Sequence, residues 1–213
     1  MRKKTRLILA LDVTERAPAL EVAEQVAPVV DAIKVNYPII LGCGIGIVKE
    51  LASYSDIICD LKVADVPNTN RLIVQHAVSA GAKGVICQGF VGRDSLEACV
   101  DAGRRIDVFV VAEMSHPGSN IFINPHAEDI ARMAMNVGAA GIIAPGTRPE
   151  RIRALRKVVG KALILAPGIG AQGGKASAAI KAGANYVIVG RSIYQAEDPR
   201  AAAEVIVREI TGD

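Results

Sequence analysis

The sequence predicts a (β/α)8 barrel, one domain over residues 1–213, on three observations. Apolar runs of strand length recur eight times, a helix-length amphipathic stretch follows each, and no linker or low-complexity segment breaks the alternation. Runs that are hydrophobic on both faces belong to parallel strands covered by helices. Eight such units in series close into a barrel, for which 213 residues is near the lower limit of roughly 200. A doubly wound open sheet shares the alternation and is the competing arrangement.

The strands are expected at 7–12, 32–36, 56–61, 83–88, 107–113, 140–145, 162–167 and 185–190. The first run ends on Asp12. The second places Lys34 and Asn36 on one face and Ile33 and Val35 on the other, because side chains alternate along a strand. The third leads into Asp60-Leu-Lys62-Val-Ala-Asp65-Val-Pro67-Asn68-Thr69, three charges where an apolar strand should be ending. By the same alternation Asp60 and Lys62 point one way. Burying charge is costly unless it is paired, and pairing alone seldom improves on apolar packing. Such charges point to chemistry, against the plainer reading of a structural cluster at a strand end. Between the strands, helices are expected at 17–29, 70–80, 95–102 and 127–137; in the last, Ile130, Met133, Ala134 and Val137 fall at helical spacing.

Active sites of this fold gather at the C-terminal ends of the strands. Asp12, Lys34, Asp60 and Lys62 stand there on three consecutive strands, with Ser115 after the fifth and Gln172 after the seventh. The last two units carry a phosphate signature. Ala166-Pro167-Gly168-Ile169-Gly170-Ala171-Gln172-Gly173-Gly174 is a glycine-rich loop before a helix starting near Lys175. Glycines let backbone N–H groups approach an anion, and a helix start adds its positive end. Gly190-Arg191 then supplies a guanidinium suited to phosphate.

Composition excludes several classes. A net charge of +3, with no Trp, three Phe and four Tyr, does not fit a nucleic-acid groove. The apolar segment after the basic start reaches Asp12 within six residues, too short for a signal sequence or a membrane span. Cys43, Cys59, Cys87 and Cys99 show no CxxC spacing and sit in or beside apolar stretches, which reads as reduced, buried thiols in a cytosolic protein. His76, His116 and His126 make no metal-type spacing.

These residues together resemble the orotidine 5′-monophosphate decarboxylase family, in its short archaeal and bacterial type. The resemblance runs through Leu7-Ile-Leu-Ala-Leu-Asp12, Ile33-Lys34-Val-Asn-Tyr37-Pro38, the Asp60–Thr69 motif, Glu113-Met-Ser115-His116-Pro117-Gly118, Ala144-Pro145-Gly-Thr147-Arg148, Pro167-Gly-Ile-Gly-Ala-Gln172 and Val189-Gly190-Arg191. It implies a cofactor-free and metal-free decarboxylation of orotidine 5′-monophosphate to UMP by a cytoplasmic homodimer. Lys62 would protonate C6, Asp60 would lie against the substrate carboxylate, and Asp65 and Thr69 would come from the second subunit. Asp12 and Lys34 would hold the ribose, Lys34 also belonging to the catalytic charged array with Asp60, Lys62 and Asp65, while Ser115 would hold the pyrimidine and Gln172 both pyrimidine and phosphate. Gly190 and Arg191 would hold the phosphate, Pro167 would pack near the base, and the loop around Gly173 would be the lid. One departure is Gln88-Gly89-Phe90, where family members often have His-Gly-Phe.

Three alternatives stand beside this one. Mg²⁺-dependent 3-keto-gulonate-6-phosphate decarboxylase and hexulose-6-phosphate synthase share Asp-x-Lys-x-x-Asp, but they use an acidic metal ligand where this chain has Lys34, and a protonated lysine repels a cation. A phosphosugar isomerase would need a base such as Glu113, leaving the lysines without a role. A non-catalytic nucleotide-binding barrel would leave the charged array idle.

Overall fold

The computed structural model describes residues 4–212, and these form one closed barrel. Its strands are β1 (Leu7–Leu11), β2 (Ala32–Asn36), β3 (Ile57–Val63), β4 (Gly84–Gln88), β5 (Asp107–Val111), β6 (Gly141–Ile143), β7 (Leu163–Pro167) and β8 (Tyr186–Val189). Every neighbouring pair is parallel, and β8 returns to β1 through Leu7 opposite Val187. The open doubly wound sheet is thereby excluded.

Helices α1 (Arg16–Val26), α2 (Tyr37–Cys43), α3 (Ile47–Leu51), α4 (Pro67–Ser79), α5 (Arg93–Ala102), α6 (Ser119–Phe122), α7 (Ala127–Asn136), α8 (Pro149–Val159), α9 (Ala176–Lys181), α10 (Arg191–Tyr194) and α11 (Pro199–Thr211) complete the chain. None is long and apolar enough to cross a membrane. Alternation along each strand divides the apolar side chains into two cores. Leu9, Leu11, Ile33, Val35 and Cys59 face outward to the helices, while Ile8, Ile58, Ile86, Phe109, Leu165 and Tyr186 fill the barrel. Phe109 and Tyr186, the largest fully buried side chains, make the interior solid. Small residues make room for them: a Cβ on Gly84 would lie 3.2 Å from the Phe109 ring.

Some boundaries differ from the sequence expectation. Helix α4 begins at Pro67 and not at 70, because proline has no N–H to lose at a helix start and its fixed φ suits the first turn. Strand β6 keeps only three residues. Cys59, Cys87 and Cys99 are buried as expected, but Cys43, in the last turn of α2, is partly exposed.

Candidate active site

The C-terminal ends of the strands surround a cavity of about 290 Å³. Its charged wall is built on β2 and β3, whose register sets Asn36 opposite Asp60. The Asp60 carboxylate is met by two ammoniums, Lys34 Nζ and Lys62 Nζ, each at 2.9 Å. Asp60 and Lys34 side chains are only 8 % exposed, whereas Lys62 is 39 % exposed and faces the open side. Burial works against the Asp60 charge, but Lys34 and Lys62 outweigh it and hold its pKa below the usual carboxylate range.

Asp60 and Lys62 do meet, though not by simple alternation. Lys62 has φ of 44°, in the left-handed region, and the register with β4 shifts between Cys59 and Val63. Among the described residues only Arg6 shares a positive φ without being glycine. The irregularity turns Lys62 out of the strand, so that its ammonium donates to both Asp60 oxygens.

Around this wall the cavity is lined by Asp12 and Asn36, by Met114 and Ser115, and on the opposite side by Pro167, Gln172, Gly190 and Arg191. Asn36 Nδ2 donates to Asp12 Oδ1 at 2.7 Å and so fixes that carboxylate. Arg191 is exposed and pairs with no carboxylate among the described residues, leaving a free guanidinium at the rim.

The glycine-rich loop is tightly folded on itself. Gly168, Gly170 and Gly173 have positive φ, which L side chains rarely adopt. Gly170 N–H donates to Gly174, Gly173 N–H to Gly170, Gly174 N–H to Gly168, and Ala171 N–H to Ser192 Oγ. Those N–H groups are therefore committed within the protein. Gly170, Gly173 and Gly174 thus shape the loop with their N–H groups, whereas Gly168 lines the cavity.

A family-level comparison matches residues 5–206 to the orotidine 5′-phosphate decarboxylase/HUMPS family. The chain belongs to that family. It is 57 % identical to the orotidine 5′-phosphate decarboxylase of Methanosarcina barkeri over all of this chain and 98 % of that one, and 52 % identical to its Thermococcus kodakarensis counterpart, with 98 % of each chain covered. Among solved structures, the orotidine 5′-phosphate decarboxylase of Pyrococcus horikoshii superposes with a TM-score of 0.91 at 50 % identity, covering 97 % of this chain and 100 % of that one. The Methanocaldococcus jannaschii orotidine 5′-monophosphate decarboxylase in complex with the inhibitor BMP gives 0.91 at 41 % identity, with 96 % and 97 % covered.

Of the residues that resemblance to the orotidine 5′-phosphate decarboxylase family singles out, Asp65 and Thr69 do not line the cavity of their own chain. Asp65 is exposed, and its Oδ1 accepts from Val66 N–H at 2.6 Å. Its main chain is held firmly: Asn70 Oδ1 accepts from Asp65 N–H at 3.0 Å, while Asn70 Nδ2 and Ser95 Oγ donate to the Asp65 carbonyl. Exposed Val66 and Leu72 flank this loop. Asn70, fully buried, is a residue that sequence reasoning missed; a polar side chain in the first turns of a helix after a proline start was the available signal.

Sequence reasoning also left Arg148 and Arg151 without a task. Both reach Glu113, which is 1 % exposed, with Arg151 Nε at 2.8 Å from Oε2 and Arg148 Nη1 at 3.3 Å from Oε1. Glu113 is thus already engaged by two guanidiniums, which removes the unattached carboxylate that the isomerase alternative requires.

Proposed function

We propose that this chain decarboxylates orotidine 5′-monophosphate to UMP and CO2 without a cofactor, the closing reaction of UMP synthesis, with Lys62 as the proton donor to C6. The observation that carries the mechanism is the Lys34–Asp60–Lys62 array, two ammoniums at 2.9 Å from one buried carboxylate at the edge of the cavity. Family membership and the relatives' printed activity support the substrate.

The chemistry follows from the charges. The C6–carboxylate bond breaks, CO2 leaves, and the electron pair stays on C6. No ring carbonyl is placed to delocalise it, so a fixed cation must stabilise it. The Lys62 ammonium does so and then transfers a proton to C6, regaining one from solvent after release. Asp60 pairs with Lys62 at 2.9 Å and lies against the departing carboxylate. Asp12 and Lys34 hold the ribose hydroxyls, Ser115 the pyrimidine edge, and Pro167 the face of the base. Arg191 and Gly190 take the phosphate, with Gln172 reaching between phosphate and ring; the unpaired Arg191 guanidinium supports that assignment.

The site is completed by a second copy of the chain. Asp65 and Thr69 lie off their own cavity, on the loop tied down by Asn70 and the first turn of α4 that follows it, flanked by exposed apolar side chains, as suits residues offered to a neighbour's site in a homodimer. The Mg²⁺-dependent alternative is disfavoured by Lys34, whose ammonium occupies the Asp60 carboxylate that a cation would need. The deciding experiment follows the absorbance of orotidine 5′-monophosphate with purified protein, with and without EDTA. Conversion to UMP unaffected by EDTA is expected; no conversion by folded protein would overturn the assignment.

A further inference from the structure

Glu113 is a buried charge that the proposed chemistry does not use. It stands two residues before Ser115, at 1 % exposure, and its Oε1 accepts no hydrogen bond although Arg148 Nη1 lies 3.3 Å away. Arg151 supplies the aligned partner on Oε2, so Arg148 keeps its other nitrogen for a second contact. Arg148 Nη2 donates to the Met114 carbonyl oxygen. The same carbonyl accepts from Ser119 Oγ at 3.0 Å, and Met114 N–H donates to Asn124 Oδ1 at 3.2 Å. The Met114 peptide groups are therefore gripped from both sides, directly before the Ser115 side chain enters the cavity. Arg148 also follows Thr147, against which Gly168 packs so closely that a Cβ there would lie 3.1 Å from Thr147 Cγ2. Buried ion clusters seldom improve stability over apolar packing, so a positional task is the physical reason to keep this one.

We propose that Glu113 is a positioning residue for base recognition: its carboxylate fixes Arg148, and Arg148 fixes the main chain that presents Met114 and Ser115 to the pyrimidine. This rests on the proposed function, in which Ser115 meets the base. The discriminating experiment titrates UMP and ribose 5-phosphate by calorimetry into wild-type protein and Glu113→Gln, which keeps the shape and removes the charge. The expected result is UMP affinity weakened about tenfold, the scale of one lost hydrogen bond to the base, with ribose 5-phosphate affinity unchanged. A merely structural role would weaken both ligands together, and that result overturns the proposal, as does unchanged UMP affinity. If Glu113→Gln does not fold, Arg148→Lys serves instead: one ammonium cannot span both the carboxylate and the Met114 carbonyl, and the same split between ligands is expected. Wild-type protein that binds neither ligand would overturn the functional assignment itself, a result distinct from either failure of the variant.

Discussion

Lys62 and Asp60 concentrate the proposed chemistry in two side chains, and each gives a separable expectation. Lys62→Ala should lower turnover of orotidine 5′-monophosphate by roughly a thousandfold or more, the scale of a lost proton donor, while UMP still binds in a calorimeter. Near-normal turnover would remove Lys62 from the mechanism. Asp60 bears on stability as well as chemistry. Its folded pKa is depressed, since the two ammoniums outweigh the burial that opposes its charge. The stabilisation it contributes is therefore fully present above the ordinary carboxylate value, about 3.9, and is lost as pH falls through its lower folded value. Urea titrations of wild type and Asp60→Asn from pH 7 downward should show the gap between them constant above about pH 4 and narrowing below it. A gap that widens in acid would reverse the sign assigned to this pair.

The element scale explains what the sequence could and could not disclose. Strand positions were legible because runs such as Leu7–Leu11 and Tyr186–Val189 are apolar on both faces, a pattern that only a covered parallel sheet needs. The ends of the elements were less so: the positive φ of Lys62 and the register shift beside it depend on how β3 meets β4, which no local pattern reveals. The glycine loop was legible as a loop, but which N–H groups it keeps for itself depends on closure against Ser192, 21 residues further on. Asn70 and Arg148 escaped notice for the same reason, because their partners are main-chain groups, and sequence does not say which main chain will be near. Gly141 shows how closely two elements can approach: β6 and β7 leave a Cβ there 2.1 Å from the Leu163 carbonyl oxygen. Gly141→Ala should cost about 1–3 kcal/mol, a fall in Tm of several degrees in a scanning calorimeter. An unchanged Tm would mean that the two strands part freely at this point.

For the whole molecule, the decisive expectation concerns whether two copies share their sites. If Asp65 acts in the neighbour's cavity, Lys62→Ala and Asp65→Asn homodimers are each inactive, yet a mixed dimer contains one intact site. Mixing the two variants under conditions that exchange subunits should then restore about a quarter of wild-type activity, half the dimers being mixed and half their sites whole. No recovery after demonstrated exchange would place Asp65 in its own chain's site or outside the chemistry. The backbone at Lys62 has a consequence of another kind. A left-handed conformation costs an L residue about 1–2 kcal/mol and glycine almost nothing, so Lys62→Gly should melt above Lys62→Ala, neither having the ammonium. Among variants without the ammonium, a library sorted by heat resistance alone will accordingly be drawn toward glycine at this position. Directed evolution of this barrel for thermal tolerance needs selection for turnover in every round, or it will enrich well-folded proteins that have lost the Lys62 ammonium.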